Sequence, residues 1–106
     1  MPVRTVCAAL LAAAAAAAPA RAQKFSDADA VAIARKHCVP CHAPEPAHPA
    51  FAKAPRDIVL ETADDLRRHA AVVLEQVESG AMPLGNETEM TEEERAALVR
   101  WIAALK

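Results

Sequence analysis

Tyrosine is missing from the 106 residues, and the remaining aromatics are Phe25, Phe51 and Trp101. Large rings supply much of the buried area in small domains, so alanine, valine and leucine are left to build a shallow core. A cofactor with its own apolar surface would make up the shortfall. Beyond residue 22 there is also no strand-like alternation, no internal repeat and no low-complexity tract. That excludes sheet-based and solenoid architectures and leaves an all-α domain. Nor do Glu45, Asp57 and Asp64 form a recognisable acid/base pair, so no catalytic role is expected.

The first fifth of the chain reads differently from the rest. Arg4 supplies a positive start, Val6 to Ala18 is an unbroken apolar run, and Ala20-Arg21-Ala22 is an A-x-A cleavage pattern. Residues 1–22 are therefore expected to be a secretory signal peptide and 23–106 the working domain. The run is short of the ~20 residues that cross a bilayer, and alanine is weakly hydrophobic, so no membrane span is expected after cleavage. Cys7 leaves with the signal, and it precedes the apolar run, where a lipid-bearing cysteine would follow it. Without Arg4 and Arg21, ten Lys and Arg face fourteen Asp and Glu, a formal charge of about −4. That balance argues against nucleic acid as a partner.

Two cysteines then remain, in Cys38-Val39-Pro40-Cys41-His42. Thiols three positions apart with an imidazole directly after them can form thioethers to the two vinyl groups of a haem and place the histidine beneath its iron. A redox disulfide and half of a zinc site are the competing readings of C-x-x-C, and an exported protein makes the disulfide a real competitor. His42 and the aromatic scarcity favour one covalently attached haem c.

Three helices are expected. Ser26 with Asp29 forms a capping box ahead of a helix that presents Ala30, Ile33, Ala34 and His37 on one face and runs into Cys38. From Ala43 to Arg56 four prolines suppress regular structure, and a loop of that length is expected to wrap the His42 side of the haem. A carbonyl at Pro49 or Pro55 is the expected acceptor for the His42 ring nitrogen that does not bind iron. The second helix is expected from Thr62 to Ser79, with Leu66, His69, Ala70, Val73 and Val77 on a common face and Gly80 ending it. Thr91 and Glu94 cap the third, whose stripe is Leu98, Trp101, Ile102 and Leu105.

What fills the sixth position of the iron separates electron transfer from ligand chemistry such as gas binding or peroxide handling. Met82 is the favoured ligand, because Gly80-Ala81-Met82-Pro83 is an extended loop after a helix end, 40 positions beyond His42. Met90, His69, His37 and His48 are the alternatives. Lys53 and Arg56 follow the proline-rich loop and are candidates to pair with haem propionates. Seven glutamates between Arg68 and Arg95 read as a solvated surface with dipole-matched residues at a helix start, in preference to an acidic docking rim.

The order of capped helix, C-x-x-C-H, proline-rich loop, Met-Pro loop and terminal helix with an aromatic resembles small class I c-type cytochromes. The stretch from Ala81 to Thr91, with Glu94-Arg95, Trp101-Ile102 and His48-Pro49-Ala50-Phe51, is similar more narrowly to the cytochrome c domain of bacterial membrane urate hydroxylases. The resemblance implies a class I fold around one haem, with the first and last helices packed across each other. It implies thioethers at Cys38 and Cys41, and His42 and Met82 as iron ligands. The job implied is periplasmic one-electron transfer, with a periplasmic or membrane dehydrogenase or oxidase among the redox partners. No membrane or substrate domain precedes the haem segment, so urate oxidation itself is not carried over.

Overall fold

A computed structural model describes residues 24–105, and the expected signal peptide at 1–22 lies outside the described residues. Among the described residues there are four helices and no strand: α1 (Asp27–His37), α2 (Ala63–Arg68), α3 (Ala70–Glu78) and α4 (Glu92–Ala103). Three capping boxes set the starts. Ser26 with Asp29, Thr62 with Asp65 and Thr91 with Glu94 each satisfy two of the free backbone N–H groups that open a helix.

The expected second helix is two helices. His69 leaves helical geometry (φ −108, ψ 20), and α2 and α3 meet there. No proline or glycine causes the break. α2 packs on α1 while α3 packs mainly on α4, and one straight helix from Thr62 to Ser79 would not serve both neighbours. Tertiary packing overrides the local preference for a continuous helix.

The core is small and aliphatic, as the composition requires. Ala30, Ala34, Leu66 and Leu98 are fully buried, with Val73, Val77, Met90 and Ile102 around them. Ile33, Trp101 and Leu105 pack against this cluster while remaining partly exposed. Trp101 does more than fill space. Its indole N–H donates to Asp27 at 3.1 Å, and the Arg67 guanidinium lies 5.9 Å above its ring while also pairing with Asp27 and Asp64. One cluster thus joins α1, α2 and α4 and fixes the terminal helices against each other.

Candidate functional site: an apolar cleft over the C-x-x-C-H segment

α1 delivers the motif. His37 is its last residue, Cys38 is the C-cap, and the N–H groups of Cys41 and His42 both donate to the Cys38 carbonyl, at 3.1 and 2.8 Å. This tight turn places Cys38, Cys41 and His42 on one wall of a cleft of about 290 Å³. α3 supplies Val72, Val73, Gln76 and Val77, and Met82, Pro83 and Leu84 come from the loop after α3. Ile58 and Leu60 add to the apolar lining, and Phe51, Pro55 and Arg56 bring the proline-rich loop to the cleft.

His42 is held from both ends by the segment after that loop. Its Nδ1–H donates to the Ile58 carbonyl at 2.8 Å, and its own carbonyl accepts from the Leu60 N–H at 2.9 Å. A carbonyl only accepts, so the proton sits on Nδ1 and Nε2 keeps its lone pair for the cleft. The expected acceptor at Pro49 or Pro55 is corrected to Ile58. The path of residues 58–60 back past His42 decides this, and no local pattern encodes that path.

The two thiols are not joined to each other. Burial pushes the Cys38 thiol up to about 11, with the neighbouring Cys41 adding to the shift, so Cys38 carries its proton at neutral pH. Cys41 is raised by burial and then by the charge of Glu87. Among the described residues no group of three or more His, Cys, Asp or Glu side chains is placed to hold a metal ion, so a four-ligand zinc site is not assembled.

Met82 is fixed through its backbone. Its N–H donates to the Gln76 carbonyl at 3.0 Å, and its carbonyl accepts from Arg95 at 2.9 Å. The same Arg95 nitrogen donates to the Val77 carbonyl at 2.7 Å, so one guanidinium ties the end of α3 and the methionine loop to α4. Sequence reasoning missed Arg95, since a single arginine in a helix carries no pattern of its own.

The alternatives to Met82 are placed otherwise. Met90 is buried in the core, with Asn86 bonding both its N–H and its carbonyl. His69 sits at the α2–α3 break and lines no part of the cleft. His37 is buried at the cleft with both ring nitrogens engaged, by Thr88 at 2.7 Å and Glu94 at 2.9 Å. His48 accepts from the Ala50 N–H at Nδ1 and donates from Nε2 to Glu87. Lys53 pairs with Asp57 at 3.4 Å, whereas Arg56 lines the cleft. Arg56 and Asp57 both adopt left-handed backbone (φ 57 and 58), which costs an L-residue about 1 kcal/mol each. Glu75 and Glu78 are exposed and line none of the cleft, and Glu92 to Glu94 occupy the first turn of α4. Glu94 and Glu87 depart from a purely solvated surface, pairing with His37 and His48.

Glu94 is held below the usual carboxylate range, first by the Thr91 N–H and then by His37. A carboxylate depressed on folding adds stability above its unfolded value near ~4.3 and loses it as pH falls through the folded value. Glu94→Gln is therefore expected to flatten the acid limb of the stability curve below about pH 4, at a loss of less than about 1 kcal/mol at neutral pH because the group is partly exposed. Urea melts at stepped pH check both.

Two thiols, an imidazole with a free ring nitrogen, a thioether and aliphatic walls form the donor set and the apolar slot that a covalently attached haem requires. An all-helical fold with its terminal helices packed against each other beside such a slot defines a cytochrome c domain. A family model described as cytochrome c oxidase, cbb3-type, subunit III matches residues 26–102, and the chain belongs to that family. It is a c-type cytochrome whose chemistry is haem-based electron transfer, with redox proteins as partners. No curated protein and no solved structure gives a match. Among the described residues no helix is long and apolar enough to cross a membrane.

Proposed function

We propose that the chain is a periplasmic monohaem cytochrome that carries single electrons between redox partners. In this reading residues 1–22 are a cleaved signal peptide and 23–106 the cytochrome domain. Cys38 and Cys41 would hold one haem c through thioether bonds, and His42 and Met82 would supply its iron ligands. The observation that carries the reading is the convergence of these four side chains on one aliphatic cleft. A single C-x-x-C-H in the sequence supports a single haem, and the A-x-A pattern after an apolar run supports export.

When bound, the haem iron supplies a one-electron couple. The chain's own residues do the rest. The Ile58 carbonyl orients His42 and fixes its tautomer, while Gln76 and Arg95 aim Met82 through its backbone. A thioether favours the ferrous state, so Met82 raises the potential relative to a second histidine. Val72, Val73, Val77 and Leu60 exclude water from the faces of the ring. Arg56, at the cleft and in none of the ion pairs among the described residues, is the residue we assign to the haem propionates. A periplasmic or membrane dehydrogenase or oxidase is the kind of redox partner this reading assigns.

Expression in a periplasm competent for haem attachment tests this. The intact mass is expected to equal residues 23–106 plus one haem. The ferrous protein is expected to bind carbon monoxide slowly. An unmodified mass, or rapid carbon monoxide binding, would overturn the carrier reading.

A further inference from the structure

Resting on Met82 as the sixth ligand, we propose that His48 and Glu87 are positioning residues that hold the methionine loop shut across the mouth of the cleft. His48 belongs to the side of the cleft that carries the cysteines. Its backbone N–H donates to the Pro40 carbonyl at 2.9 Å, inside the C-x-x-C-H segment, and its ring packs at 5.5 Å against Phe51, which lines the cleft. Glu87 belongs to the methionine loop, five residues after Met82. His48 Nε2–H donates to Glu87 at 3.0 Å and joins the two.

The tautomer is defined locally. Nδ1 accepts from the Ala50 N–H at 3.1 Å, so the ring proton sits on Nε2 and faces Glu87. The contact ties the loop after Met82 to the segment anchored at Pro40, next to Cys41. It lies outside the hydrophobic core, with the His48 and Glu87 side chains 26% and 62% exposed. Such a contact adds little to global stability. Its position gives it a local effect, because it spans the segments that carry the two iron ligands. Thr88, the next residue, is gripped by His37 from just before Cys38, so consecutive residues of the methionine loop are bound by histidines on either side of the motif.

Opening the loop breaks the iron–thioether bond and lets an external ligand form its own bond to iron, with no net oxidation. The rate of carbon monoxide binding to the ferrous holoprotein therefore reads the opening. Losing one partly exposed hydrogen bond is expected to raise that rate about two- to tenfold in His48→Ala and in Glu87→Ala. Glu87→Gln keeps an acceptor and is expected to stay near wild type. The double alanine variant is expected to be no faster than the faster single one, because both remove the same contact. Glu87 is mostly exposed, so its variants fold even if His48→Ala does not. Wild-type rates in both Glu87→Ala and His48→Ala, or effects that multiply in the double variant, would overturn the proposal. A wild-type ferric spectrum without the far-red thioether band would instead overturn Met82 ligation itself.

Discussion

Met82→Ala is expected to abolish the weak far-red band of the ferric protein, to lower the reduction potential, and to convert slow carbon monoxide binding into fast binding. A ligand that fills the sixth position in about 99 of 100 molecules lowers the apparent affinity of a competitor about 100-fold, so its removal returns that factor. The effect is chemical and local. Gln76 and Arg95 hold residue 82 through its N–H and carbonyl, which alanine retains, so the loop stays where it is and only the thioether is lost. Absorption spectra, a redox titration and flash photolysis check the three outcomes. Persistence of the far-red band in the variant would transfer the ligand role to another sulfur.

The double variant Cys38→Ala/Cys41→Ala is expected to lose covalent haem entirely. After denaturing electrophoresis, haem stain should follow the wild-type chain and vanish from the double variant. The loss should reach beyond colour. Leu60, Val73 and Val77 are core residues that also line the cleft, so without a fixed haem much of the core has one side facing a gap. Helix content and melting temperature should both fall. Cys38 is buried in the core cluster and caps α1, whereas Cys41 is partly exposed, so Cys38→Ala should destabilise more than Cys41→Ala.

Some features of the fold were legible because they are local. Ser26 with Asp29, Thr62 with Asp65 and Thr91 with Glu94 are four-residue patterns, and each forms the reciprocal bonds its spacing implies. The C-x-x-C-H turn is equally local. The break at His69 was not legible, because it answers to the different neighbours of α2 and α3 and not to any breaker residue. The same holds for the partner of His42. Prolines were the visible feature of the loop, but a carbonyl three residues beyond Pro55 comes to rest against the ring. His37 reads as one more member of a helix face, yet its ring meets Thr88 and Glu94, 51 and 57 positions away. Such pairings belong to the docking of α4 and leave no trace in spacing.

Arg95 makes the methionine loop depend on the last helix. The cysteines, His42 and the Ile58–Leu60 brace all precede α4 in the chain, whereas one hold on Met82 lies within it. The Gln76 carbonyl holds Met82 from α3, and the last helix adds a second anchor when its guanidinium reaches the Val77 and Met82 carbonyls. The two sides of the cleft are thereby held independently, so fraying of the last helix would loosen the Met82 side and leave the His42 side braced.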